Sequence, residues 1–316
     1  MKQALPLATD RIAIIGAGHV GATTAYALML RALSREIVLI DTDEALARSE
    51  AEDISDANAL ARPARIFAGN FADCASARIV VLTAGAATHG KESRLDVATR
   101  SAQIVRSCVS QLASAGFSGV LVVSANPVDL MALAAWRASG LAASQVIGTG
   151  TLLDSMRMRQ EIAALLRVAP GSVTGMVLGE HGDSEVSVLS SVRIGGLPID
   201  RYSATGAGLD GEKLAASVRA AAYRIISGKG YTSFGVATAA VRICEAILRA
   251  ENTILPVSTL LTGQFGLSDI YLSLPCVLGA GGVERVLLPD LTAAEEAALR
   301  HSGAVLQQAS GALTTK

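Results

Sequence analysis

The chain has 316 residues, enough for one or two domains of ordinary size. Hydrophobic residues make up 51% and charged ones 17%, the reverse of the balance that keeps a chain disordered. Lys and Arg number 27 against 28 Asp and Glu, a net charge of −1. No basic excess exists to neutralise phosphates, so nucleic acid is not an expected partner.

A mean hydropathy of +0.43 raises the question of a membrane. A spanning helix needs about 20 consecutive apolar residues. Here the run 79–82 meets Thr83 and Gly85, and the run 119–123 meets Ser124, Asn126 and Pro127. The hydropathy comes from alanine and short buried strands, and no membrane association is expected. Residues 1–11 show no long apolar stretch before Asp10 and Arg11, so a cytoplasmic chain without a secretory signal is expected. Cys74, Cys108, Cys244 and Cys276 are far apart and lack C-x-x-C spacing, which reads as free buried thiols with no metal site.

In chain order, 12–15 and 37–40 read as strands, 65–67 as a weaker one, then 79–82 and 120–123, with 146–147 again weaker. Continuous apolar runs of this length suit parallel strands covered on both faces. Between them, 20–30 is a helix of small apolar residues. The segment 95–112 places Ile104, Val105, Cys108 and Leu112 on one stripe before a stop at Gly116. The alternation predicts an open parallel sheet with right-handed crossovers. After Gly148 the texture changes. A helix at 152–166 ends before Pro170. Residues 186–194 alternate and meet Gly195, Gly196 and Pro198, which predicts an antiparallel strand and turn. Helices are expected at 214–226, 236–248 and 291–308, with a frayed tail at 309–316. The division expected is 1–148 and a mixed α+β domain over 149–316.

Gly16-Ala17-Gly18-His19-Val20-Gly21 directly follows the first strand and opens a helix. The first glycine permits the tight turn, the second lets backbone approach a pyrophosphate, and the third allows close helix–strand packing. Asp41 ends the next strand 20 residues after Gly21, where an acidic side chain accepts bonds from a ribose hydroxyl. Asp43 and Glu44 add negative charge that repels a 2′-phosphate, so NAD is favoured over NADP. The bland alternative is a structural turn with a solvent-facing Asp.

Four further segments concentrate polar residues: Glu92-Ser93-Arg94, Asn126-Pro127-Val128-Asp129, Asp154-Ser155-Met156-Arg157 and Gly179-Glu180-His181-Gly182-Asp183-Ser184. Each has an ordinary reading when taken singly. Asp154 and Arg157 suit a helix-surface ion pair, Arg94 beside Glu92 a solvated face, Asn126-Pro127 a turn, and His181 a buried structural histidine. Together with the glycine turn and in this order, they resemble the lactate/malate dehydrogenase superfamily, and within it the lactate-dehydrogenase-like branch. The resemblance covers nearly the whole chain.

The resemblance implies a doubly wound parallel (Rossmann) α/β sheet followed by an α+β substrate domain. It also implies an NAD-dependent oxidoreductase acting on a small 2-oxo or 2-hydroxy acid, assembled as a homodimer or homotetramer. By this likeness His181 is the proton acceptor, since alcohol oxidation releases a proton and imidazole titrates near neutrality. Asp154 is the carboxylate that orients it, and Arg157 grips the substrate carboxylate with a guanidinium fork. Arg94 sits on a closing loop and polarises the carbonyl. Asn126 bridges cofactor and substrate, and the coenzyme contacts extend to Val20 and Gly85. Thr88 occupies the position facing the far end of the substrate, where lactate dehydrogenases usually have Gln and malate dehydrogenases Arg; Thr232 and Val236 form the opposite wall. Thr88 offers no cation for a second carboxylate, which disfavours malate, although His89 and Lys91 lie near. Similarity to hydroxyisocaproate-type relatives at 148–153 and 231–233 widens the expected range to larger side chains.

Two other classes are weighed. A catalytically silent NAD(H) sensor is opposed by the intact His181, Asp154, Arg157 and Arg94, and a metal-dependent NAD-using glycosidase by the scattered cysteines. Arg159 matches half of a sugar-bisphosphate site, whose second position, usually His, is Thr174. In an assay with NADH, pyruvate, 2-oxobutyrate and 2-oxoisocaproate are expected to outrun oxaloacetate. Fructose bisphosphate is expected to leave the Michaelis constant nearly unchanged. A clear preference for oxaloacetate contradicts the first expectation and a large fall in that constant the second.

Overall fold

The computed structural model describes residues 10–61, 63–86, 94–203 and 210–314, the side chains at 94, 95, 203, 313 and 314 excepted. The N-terminal half alternates strand and helix: β1 (Arg11–Ile15), α1 (His19–Leu30), β2 (Glu36–Ile40), α2 (Glu44–Asn58), β3 (Arg65–Ala68), β4 (Ile79–Leu82), α3 (Arg94–Ser114), β5 (Val120–Val123), α4 (Val128–Ser139) and β6 (Val146–Gly148). All neighbouring pairs among these strands are parallel, in the order β6-β5-β4-β1-β2-β3. Strands β4 and β5 are buried along their whole length, as their unbroken apolar runs require when helices cover both faces. The chain order reverses between β1 and β4, which opens a crevice at their carboxyl ends.

The C-terminal half begins with α5 (Leu152–Leu166), followed by the short strands β7 (Val173–Thr174), β8 (Val177–Leu178), β9 (Val186–Ser187), β10 (Arg193–Ile194) and β11 (Leu197–Pro198). Then come α6 (Ile199–Ser203), α7 (Gly211–Lys229), α8 (Phe234–Leu248), β12 (Thr253–Thr262), β13 (Ser268–Gly279), β14 (Gly282–Val286) and α9 (Ala293–Thr314). The expected single strand over 186–194 is two strands separated by a 3-10 turn at Leu189–Ser191, with β9 pairing to β8 and β10 to β7 and β11. The expected frayed tail is helical to Thr314, because α9 packs on β13 and buries Leu299 and Leu306.

Strands β12 to β14 carry no clear local signal in the sequence. They extend the parallel sheet antiparallel from β6, through the pair Ser258 and Gly148, to make nine strands. Pro256 and Pro275 demote these segments on local grounds, since proline cannot donate to a ladder. In the sheet the two prolines are partners in register, so both gaps fall on one rung. Among the described residues, no helix is long and apolar enough to cross a membrane. The four cysteines are free, and no cluster of potential metal ligands occurs among the described residues.

Helix α8, alanine-rich and with Ala239 and Ala240 buried in the same core as Ala25 and Leu28, packs on α1. The buried Glu245 fixes that contact: it takes Arg31, the residue that caps the end of α1, at 2.5 Å and Arg249 at 2.8 Å. Glu245→Ala leaves these partly exposed guanidiniums without their shared carboxylate. It is expected to lower unfolding stability by about 1–3 kcal/mol. An unchanged denaturant midpoint contradicts this.

Candidate functional site

The glycine turn leaves β1 at the sheet's switch point. Gly16 has φ +104, and a Cβ there would lie 2.6 Å from Thr83 Oγ1 at the end of β4. At Gly21 a Cβ would lie 1.8 Å from the Gly16 carbonyl oxygen. Both positions therefore exclude any side chain. Gly18, by contrast, has open space where a Cβ would stand. It begins α1 without a side-chain cap, and the first turn carries no acidic residue. The amides of that turn are thus left for an external acceptor, with the positive end of the helix behind them. Thr83 Oγ1 donates to the Gly16 carbonyl at 2.9 Å and pins the turn to β4.

A cleft of about 1030 Å³ runs along these carboxyl ends. Gly16, Gly18, Val20, Gly21, Asp41, Gly85 and Asn126, the residues expected at the coenzyme, all line it, and so does Thr232, expected at the substrate's side chain. Asp41 is already anchored. Its Oδ1 accepts from Asp43 N at 3.0 Å and Thr42 Oγ1 at 3.3 Å and its Oδ2 from Ala17 N at 2.7 Å, which leaves a lone pair on Oδ2 for a ribose. Ser124 Oγ, buried in the cleft wall, has no hydrogen-bond partner among the described residues. An uncapped helix end, a turn bare of side chains, a carboxylate at the second strand and an unused hydroxyl fit a dinucleotide.

The second constellation is built on α5. Asp154 lies in its first turn and is 2% exposed. Its Oδ1 accepts from Arg157 Nη1 at 2.9 Å, one turn along the helix. Its Oδ2 meets His181 Nδ1 at 2.5 Å. The loop carrying His181 is fixed from three sides. Thr151 Oγ1 donates to the Val177 carbonyl at 2.5 Å, and Ser155 Oγ accepts from Val177 N at 2.8 Å, so α5 is tied to β8 just before the loop. Glu180 N donates to Ser302 Oγ of α9 at 2.8 Å. His181 N donates to Asp129 Oδ2 of α4 at 2.8 Å, while Ser258 of β12 donates to the other oxygen of Asp129.

Burial pulls the His181 imidazole pKa down, but the Asp154, Asp129 and Glu185 carboxylates pull harder and raise it to about 9. Burial pushes Asp154 up, and the charges and hydrogen bonds of His181 and Arg157 bring it below the usual carboxylate range. Glu185 lies in the same pocket of charge. Burial and Asp154 raise it to about 8. The geometry thus yields an imidazole with one nitrogen committed to a carboxylate and Nε2 left to exchange a proton, with a guanidinium beside the same carboxylate.

Asp129, Ser258, Ser302 and Glu185 belong to this site and were not singled out individually. Asp129 carries a local signal as the last residue of the segment 126–129, and Glu185 directly follows the polar loop 179–184; Ser258 and Ser302 join the site only by contacts across more than 100 positions. Thr88, expected to face the far end of the substrate, lies outside the described residues. So does the side chain of Arg94, whose backbone begins α3. Arg159 donates to the Gly175 carbonyl at 2.9 Å and Thr174 is exposed.

The cleft and the imidazole meet at one turn, because Asn126 lines the cleft and Asp129, three residues on, holds His181. Passing a hydride to a dinucleotide while a base takes the proton needs that adjacency, and an NAD-dependent oxidoreductase is the class it defines. The chain belongs to the lactate/malate dehydrogenase family: residues 10–148 match its NAD binding domain and 151–313 its alpha/beta C-terminal domain. It is 42% identical over 307 residues to an L-lactate dehydrogenase of Thermus aquaticus, covering 96% of this chain and 99% of that one. To the Moorella thermoacetica L-lactate dehydrogenase it is 41% identical over 303 residues, 94% and 96% of the two chains. The crystal structure of MGS-M5, a lactate dehydrogenase from a deep-sea metagenome, superposes with a TM-score of 0.94 at 37% identity, covering 98% of this chain and all of that one. The minor L-lactate dehydrogenase of Enterococcus mundtii, in its ligand-bound form, gives 0.93 at 38% identity, over 96% and 98%.

The His181 ring resonance, assigned by its absence in His181→Asn, is expected to titrate near pH 9 rather than at the ordinary 6.5. Asp154→Asn removes the largest upward influence and is expected to lower that midpoint by at least about one unit. A midpoint near 6.5 in the parent protein contradicts the network.

Proposed function

We propose that this protein is an L-lactate dehydrogenase. It catalyses reversible transfer of a hydride between NAD and a small L-2-hydroxy monocarboxylic acid, lactate and pyruvate or a somewhat larger pair. The observation that carries the reading is the sharing of the buried Asp154 by His181 and Arg157. The names of the relatives support the substrate class.

The nicotinamide coenzyme, when bound, supplies the hydride acceptor and donor. In oxidation His181 Nε2 takes the hydroxyl proton, and Asp154 keeps the ring in one tautomer and stabilises its charged form. In reduction the imidazolium returns that proton. Arg157 binds the substrate carboxylate through its remaining donors, which fixes the carbon skeleton against the imidazole. Arg94, from the start of α3, polarises the carbonyl as its loop closes. Asn126 bridges coenzyme and substrate. Thr88 and Thr232 bound the substrate's side chain, and Thr88 leaves room beyond a methyl group. Gly16, Gly18, Val20, Gly21, Asp41 and Gly85 hold the dinucleotide.

On this reading residues 1–148 form the NAD-binding unit and 149–316 the substrate unit, and the protein works in the cytoplasm as a homodimer or homotetramer. His181→Asn is expected to lower kcat for pyruvate reduction about 10²–10⁴-fold while leaving NADH binding by fluorescence intact. A variant that keeps its turnover sinks the assignment of His181. A parent protein that binds NADH but turns over no 2-oxo acid sinks the dehydrogenase reading in favour of a sensor.

A further inference from the structure

An aromatic pair at the cleft is used neither by the core nor by the proton relay. The ring of His19 lies on that of Tyr231, with centroids 3.8 Å apart and planes 10° from parallel. His19 is the first residue of α1, inside the glycine turn. Tyr231 stands in the short link between α7 and α8, just after Gly230, whose φ of 85 turns the chain. Both residues line the dinucleotide cleft. Both also face solvent: His19 is exposed and Tyr231 is 38% exposed.

Rings at a surface gain little from mere burial, so a fixed stack there calls for another account. Two further contacts hold Tyr231 in place. Lys229 Nζ lies 4.3 Å from the Tyr231 ring centroid and 4.4 Å from that of Phe234, a cation shared by two rings. Helix α8 packs on α1, so the link carrying Tyr231 is held over the glycine turn by a broad helix contact. Only side chains need move to part the two rings. The residue whose amide lies in the uncapped first turn of α1 also carries the ring that closes the rim above it. Lys229 brings positive charge to the same rim, where an anionic dinucleotide must enter and leave.

We propose that the His19–Tyr231 stack is a clasp across the rim of the coenzyme cleft that slows release of the dinucleotide. The proposal rests on the reading of that cleft as the NAD site. A clasp acts on the dissociation rate, and losing either ring removes the same contact.

Stopped-flow fluorescence of NADH release from the full-length protein tests this on the parent, His19→Ala, Tyr231→Ala, Tyr231→Phe and the double alanine variant. Each alanine variant is expected to release NADH about two- to tenfold faster, the worth of one aromatic pair. The double variant is expected to be no faster than the faster single one, and Tyr231→Phe to stay within about twofold of the parent, since it keeps the ring. Loss of fold does not produce that pattern. Release rates unchanged in both alanine variants overturn the clasp. So do effects that multiply independently in the double variant, or a Tyr231→Phe protein as fast as Tyr231→Ala. A parent protein that gives no NADH signal removes the coenzyme reading itself, and the clasp with it.

Discussion

Both oxygens of the Asp154 carboxylate are engaged, one by the His181 imidazole and the other by the Arg157 guanidinium. A carboxylate this deeply buried is tolerated only when its charge is matched and its lone pairs are filled. The requirement runs both ways. The ion keeps the imidazole oriented and raises its proton affinity, while the two cations keep the ion charged in an apolar setting. Placing Asp154 in the first turn of α5 adds the favourable end of the helix dipole. The hydroxyls of Thr151 and Ser155, one turn apart, then lock α5 to β8, so that His181 arrives at a fixed distance from the acid.

The sheet decides where this group of charges sits. Parallel strands point their carboxyl ends the same way, and reversal of strand order between β1 and β4 leaves a crevice there. The turns after β1, β4 and β5 all open into it. The Asn126–Asp129 segment serves both sites, with an amide at the crevice and a carboxylate under the His181 backbone. Ser258, from the antiparallel extension, completes that carboxylate's partners. The added strands therefore support the chemistry as well as lengthening the sheet.

The parallel half of the fold and the coenzyme turn were legible in the sequence because their signals are local. A buried parallel strand reads as an unbroken apolar run such as 79–82, and the glycine turn carries its meaning within six residues. Asp154, Arg157 and His181 were legible through their resemblance to a family, since spacing alone fits an ordinary ion pair. What remained hidden was non-local. Strands β12 and β13 carry prolines whose effect cancels only when each is known to face the other. Asp129 gains its role from a partner 52 positions away. The stacking of His19 on Tyr231 is of the same kind, for a histidine inside a glycine turn reads as a spacer until its neighbour in space is known.

The pairing of Ser258 with Gly148 has a bearing on biosynthesis. Until the segment containing β12 emerges from the ribosome, more than a hundred residues after β6, the outermost parallel strand has nothing to bond along one side. An unpaired strand margin is a template for sticking to other chains. The nascent protein must therefore carry an open seam through the synthesis of its entire middle third, and the antiparallel hairpin that arrives late is the piece that seals it.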